Sequence, residues 1–142
     1  MKLYRRFHVV LVLGLALAAA GCGSDSTPTS PTTPANPTTV TFSGTLSANG
    51  AANHVFTATG AGTVTLTLTS VSIESGATPP IIGISLGGMN NLACTAVVSR
   101  DQAVQGSSIA GTTAGGTLCA RVFDAYGVVT DPVSYTLTVV HP

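Results

Sequence analysis

"GISLG", residues 83 to 87, is the stretch whose residue types and spacing most resemble a reactive centre. It matches G-x-S-x-G, and Ser85, Asp124 and His141 follow one another in the chain order of a hydrolase triad. That chemistry needs a strand, a sharp turn and a helix, which together lift the serine onto an elbow. Here Gly87 leads into "GMNNLACTAVVS", which reads as a loop and another strand. The match is therefore read as accidental, with Gly83 as a strand-bend residue and Gly87 as a turn residue. His141 is penultimate, in a position expected to fray. His54 has no cysteine or carboxylate near it in sequence and reads as a turn-edge side chain. The expectation is a protein that is not an enzyme, with no catalytic residue.

"DAYGVVTD" places Asp124 and Asp131 at the ends of one loop, with Asp101 in another. Carboxylate oxygens from such loops could hold Ca²⁺, but the spaced acidic pattern of a dedicated calcium loop is absent. Turn-forming aspartates beside Gly and Pro are the expectation, and no metal site is assigned. Stacking on a sugar face needs an exposed ring. The chain has no tryptophan, and Phe42, Phe56 and Tyr135 fall at positions that read as core. Tyr126 is the one ring expected in the open, so Asp124, Tyr126 and Asp131 form the candidate ligand-contact loop. Arg100 and Asp101 read as a solvated pair where a strand gives way to a loop.

Where the chain resides is read from its first residues. "MKLYRRFH" is a basic n-region, and "VVLVLGLALAAA" (Val9 to Ala20) is an unbroken apolar run of about a dozen residues, which suits a signal peptide better than a membrane span of roughly 20. The run ends in small residues that lead straight into Cys22. This resembles the lipobox of bacterial lipoproteins, with Ala19 where Leu is commonest. The resemblance implies cleavage before Cys22, diacylglycerol on its thiol and a further acyl chain such as palmitate on its amine. Two or three acyl chains, at about 0.8 kcal/mol per buried CH₂, make a lasting membrane anchor. Gly23 rather than Asp follows, which resembles the sorting pattern for an outer membrane where the host has two.

Residues 1–21 are thus the leader, and residues 22–38 the lipidated cysteine and a tether. In the tether Pro28, Pro31, Pro34 and Pro37 recur every third residue, the period of an extended polyproline spacer. From Cys22 onward two arginines face five carboxylates, a net charge of −3. With no basic stripe, nucleic acid is excluded as a partner. Cys94 and Cys119 remain, each inside a predicted strand of an exported chain, and neither has a His or second Cys at ligand spacing. They read as a structural disulfide closing a loop of about 25 residues. Cys119 alternates with Arg121 and Phe123, which sets the bridge on an outer face.

The elements that position these residues begin at Thr39. Apolar residues alternate with threonines in "TVTFSGTL" and "GTVTLTLTS". "HVFTAT", "PIIGISLG", "LACTAVVS", "SSIAGT", "GTLCARVF" and "VSYTLTVV" complete about eight short strands, with turn residues at almost every junction. Residues 39–142 are therefore expected to form an all-β antiparallel fold, a small β-sandwich or barrel. "AGTVTLTL", "GTLCARVFD" and the C-terminal "VSYTLTV" resemble the bacterial pre-peptidase C-terminal domain. Gly116, Thr117, Ala120, Val122, Tyr135, Leu137 and Val139 stand at the matching places, and Leu118 stands where Tyr is usual. The resemblance implies a jelly-roll-like sandwich on an exported protein. Some members bind calcium or collagen through acidic residues near the central strands. "IIGISLGG" carries none, so those sites are not transferred.

Together these readings predict a non-catalytic lipoprotein of the cell envelope, held to the membrane by lipid on Cys22. It needs no cofactor beyond that covalent lipid. Its sandwich is expected to bind a protein or polysaccharide of the envelope. The alternative is a purely structural accessory of an envelope assembly.

Overall fold

The computed structural model describes residues 36–142. They form eight strands: β1 (Thr38–Leu46), β2 (Ala51–Ala58), β3 (Gly62–Ile73), β4 (Ile82–Asn90), β5 (Ala93–Ala103), β6 (Ser108–Thr113), β7 (Gly116–Phe123) and β8 (Val133–His141). The strands make two four-stranded antiparallel sheets, ordered β1-β8-β3-β6 and β2-β7-β4-β5, packed as a sandwich. The chain behaves as one long hairpin with its tip at Asn91-Leu92. Its arms pair β4 with β5, β3 with β6, β2 with β7 and β1 with β8. Rolling that hairpin up gives an eight-stranded jelly roll, which settles the sandwich-or-barrel choice left by the strand pattern in favour of the sandwich.

Alternation along each strand decides which side chains meet between the sheets. In β3, Val64, Leu66 and Leu68 are buried, and in β8 Val133, Tyr135, Leu137 and Val139 are. β3 slips register between Leu68 and Ser70, a bulge that returns Val71 to the inner face. From the other sheet come Ile82, Ile84 and Leu86 of β4 and Ala120 and Val122 of β7. Each fully buried Val, Leu or Ile contributes about 1.5–3 kcal/mol. The core can therefore hold without tryptophan. The outer face of β1-β8-β3-β6 is built of paired hydroxyls, Ser43 with Thr136, Thr67 with Ser108 and Thr69 with Thr138 at 2.6–3.2 Å. That pairing explains why threonine fills positions where charge is usual.

The sandwich has two unlike poles. The chain enters at Thr38, opposite His141, and the short connections 59–61, 91–92 and 114–115 lie at this entry pole. The longer connections 47–50, 74–81, 104–107 and 124–132 gather at the other end, the loop pole. A hydrogen bond from Asp124 N–H to the Gly50 carbonyl (3.0 Å) ties two of them together.

Cys94 and Cys119 form the disulfide, with Cα atoms 5.9 Å apart. It lies on the outer face, because Leu118 and Ala120 on either side of Cys119 point into the core. The bridge joins strands that are not neighbours, since β4 runs between β5 and β7. The start of β5 must therefore fold over β4 to reach Cys119. Gly87 permits this: a Cβ there would overlap the carbonyl of Thr95. The ladder slips between Leu86 and Gly87, where the strap begins.

Candidate functional site

The loop 124–132 is built around one carboxylate. Asp124 follows the last residue of β7, and its oxygens accept from the N–H groups of Asn49 (3.0 Å), Val128 (3.0 Å) and Val129 (3.3 Å). Partial desolvation pushes its pKa up, but backbone N–H groups of Asn49, Val128, Val129 and Gly127 outweigh it and hold the carboxyl below its ordinary value. Asp124 thus spends its acceptor capacity on the chain itself. Val129, buried, plugs the core below, and Tyr126 is left outside with 56% of its surface exposed.

Tyr126 stands in an apolar patch with Pro80, Ile81 and Val128, around a shallow hollow of about 370 Å³. Gln102 Nε2 reaches toward the Tyr126 hydroxyl at 3.5 Å, a long contact. Asp131 lies at the other end of the loop, exposed, and its carboxylate accepts from Thr130 Oγ1 at 3.2 Å. The structure therefore gives the three loop residues separate situations: Asp124 organises, Tyr126 is presented, and Asp131 faces solvent. Among the described residues, no group of three or more His, Cys, Asp or Glu is arranged to hold a metal ion.

The residues of the G-x-S-x-G match are not brought together as a triad. Ser85 lies on the outer face of β4, whereas His141 is buried on β8 in the opposite sheet, 5.2 Å from the Phe56 ring, with Nδ1 3.0 Å from the Pro142 carbonyl. The expected fraying at His141 does not occur, because β1 pairs with it and Phe56 packs on it. The glycines have a packing reason that local sequence could not reveal. Side chains from β7 lie across β4, and a Cβ on Gly83 would enter the ring of Phe123.

His54 also departs from its expected turn edge. It sits inside β2 and points between the sheets, stacked on Phe42 with ring centroids 4.8 Å apart. Its Nε2 hydrogen-bonds the Tyr135 hydroxyl at 2.9 Å. Burial lowers the pKa of His54 and raises that of Tyr135, so both stay neutral at physiological pH. Arg100 and Asp101 lie within β5 rather than at its end, and Arg100 Nε donates to the Gln102 carbonyl at 3.1 Å.

A second concavity opens between the sheets beside β5 and β6. It is a groove of about 510 Å³ whose walls include Val64, Leu86, Val98 and Leu118, with the Gly111–Ala114 backbone as one rim. Val97, 81% exposed, stands at its lip. Two polar atoms on the outer face of β2-β7-β4-β5, Ser85 Oγ and Arg121 Nε, are buried without a hydrogen-bond partner. Sequence reading passed over Arg121, because only the strand order sets it beside Ser85. Cys22, the leader and residues 22–35 of the tether lie outside the described residues. No protein-family model and no curated protein matches this chain.

Proposed function

We propose that the chain is a non-catalytic lipoprotein of the cell envelope, anchored by lipid on Cys22, whose sandwich binds a protein or polysaccharide at its loop pole. The observation that carries this reading is the Tyr126 patch. An exposed ring stands with Pro80, Ile81 and Val128 on a loop that Asp124 holds in place. An ordered apolar surface around an aromatic ring is the anatomy of a contact site, since its conformational cost is met before any partner arrives. Its position also suits the role, because the chain enters the sandwich at the opposite pole. The separation of Ser85 from His141 supports a binding rather than a hydrolytic role.

Two measurements test the reading. Feeding an alkyne-tagged palmitate to expressing cells labels the wild-type chain and not the Cys22→Ser variant if the anchor is correct. Co-sedimentation of the full chain in detergent micelles with insoluble cell-wall polysaccharides, with calcium and with chelator, tests the module. Saturable binding that falls at least tenfold in Tyr126→Ala supports a polysaccharide partner at the loop pole. No binding, with one envelope protein cross-linked through residue 126, makes the partner a protein. Failure of both leaves the structural-accessory reading in its place.

A further inference from the structure

The register on the outer face of β2-β7-β4-β5 aligns four polar side chains in a row across every strand of the sheet. Asn53 stands opposite Arg121, Arg121 opposite Ser85, and Ser85 opposite Ser99. At ordinary strand spacing the row is roughly 14 Å long. Ser85 is only 1% exposed, and among the described residues its Oγ and the Nε of Arg121 are the buried side-chain nitrogen or oxygen atoms without a hydrogen-bond partner. The guanidinium lies over the Phe123 ring, Cζ 5.3 Å from the centroid. No charged residue occupies a cross-strand or diagonal position beside Arg121 on this face. A half-buried cation therefore rests on an aromatic face with no counter-charge next to it among the described residues of this face.

We propose that this row is a binding site for a carboxylate-bearing saccharide, with Arg121 taking the carboxylate and Asn53, Ser85 and Ser99 the neighbouring hydroxyls. Buried polar groups in folded chains are almost always paired, so two orphans at adjacent register positions mark an arrangement completed by something else. Lifting the guanidinium from Phe123 onto an incoming carboxylate gives Arg121 a charge-assisted, forked partner. Ser85 Oγ, at the adjacent register position, can both donate to and accept from a sugar hydroxyl once it is uncovered. One cation among neutral hydroxyl and amide groups, on a chain of net charge −3 from Cys22 onward, suits an isolated carboxylate among many hydroxyls. A densely charged polyanion would be repelled by the rest of the molecule. The proposal rests on the binding-module reading and adds to the Tyr126 patch a second contact, on the sheet.

The test uses the full chain in detergent micelles at low ionic strength, titrated with aldotriouronic acid, a trisaccharide with a single carboxylate, and separately with its methyl ester, which keeps the shape and removes the charge. The expected result is saturable binding of the acid that shifts the Arg121 Nε–H resonance in the NMR spectrum. The ester should bind at least tenfold more weakly. Arg121→Gln should lose at least tenfold for the acid, Arg121→Lys should lose less, and Leu92→Ala, at the exposed hairpin tip, should bind it as the wild type does. Equal binding of acid and ester overturns the proposal. So does an Arg121 Nε–H resonance unmoved at saturating acid, a readout that needs no variant to fold. If either occurs while cell-wall binding persists and depends on Tyr126, the binding-module reading stands and the sheet site does not.

Discussion

A carboxylate that receives backbone N–H groups from two different loops holds both only while it is ionised. Asp124 draws on the 47–50 turn through Asn49 and on its own loop through Val128 and Val129. Asp124→Asn keeps the shape but weakens the acceptor, and the cost is expected to be about 1 kcal/mol, as for a lost capping side chain. Because the folded pKa of Asp124 is depressed, its contribution is complete above the unfolded value and disappears as pH falls through the folded one. Urea melts of wild type and Asp124→Asn should therefore differ at pH 7 and converge in strong acid. The two glycines of β4 make a second residue-scale comparison. Alanine at 83 meets the Phe123 ring, which can rotate away, whereas alanine at 87 meets the fixed carbonyl of Thr95. Gly87→Ala should lower the urea midpoint clearly more than Gly83→Ala, within the roughly 1–3 kcal/mol of overpacking. These glycines were legible as breaks in a pattern but not as clearances, because the atoms they make room for lie far along the chain. His54 was misplaced for a related reason: a polar residue in a short run looks like a turn until Phe42 and Tyr135 are known to enclose it.

Among the elements, the β4-β5 hairpin carries the consequence of the disulfide. The bridge closes a 25-residue separation, for which chain entropy suggests roughly 3 kcal/mol. It acts locally too, since it holds the start of β5 across β4, beside the inter-sheet groove. Reduction, or Cys94→Ser with Cys119→Ser, should speed amide hydrogen exchange in residues 87–97 far more than in β1, β8 and β3. Equal acceleration everywhere would mean that the bridge serves only the global equilibrium. All eight strands were legible, because Val and Leu alternating with Thr is a strong period-two signal and Gly, Pro or Asn punctuates the joints. Even the outer placement of the bridge followed from the alternation of Cys119 with its neighbours. What alternation cannot carry is strand order. That β4 lies between the two cysteines, and that Ser85 lies beside Arg121, are facts of non-local pairing.

At the largest scale, the sandwich has a direction. Its chain enters at one end and its longer loops gather at the other. If the domain is held upstream of Thr38 and bound at its loop pole, as proposed, it bears tension between the two poles, and the jelly roll determines how that tension is borne. β1 is an edge strand joined along its length to β8 by nine register pairs. A pull on Thr38 opposed at the loop pole runs parallel to β1, so all nine pairs are sheared at once. A pull between Thr38 and Pro142, whose ends lie side by side, opens the same ladder one pair at a time. Force spectroscopy with handles at residues 38 and 126 should therefore give markedly higher rupture forces than handles at 38 and 142, because forced unfolding is set by the barrier along the direction of pulling. The position of one edge strand makes the domain resist a pull along β1 and yield to a pull across its two ends, a mechanical polarity set by topology alone.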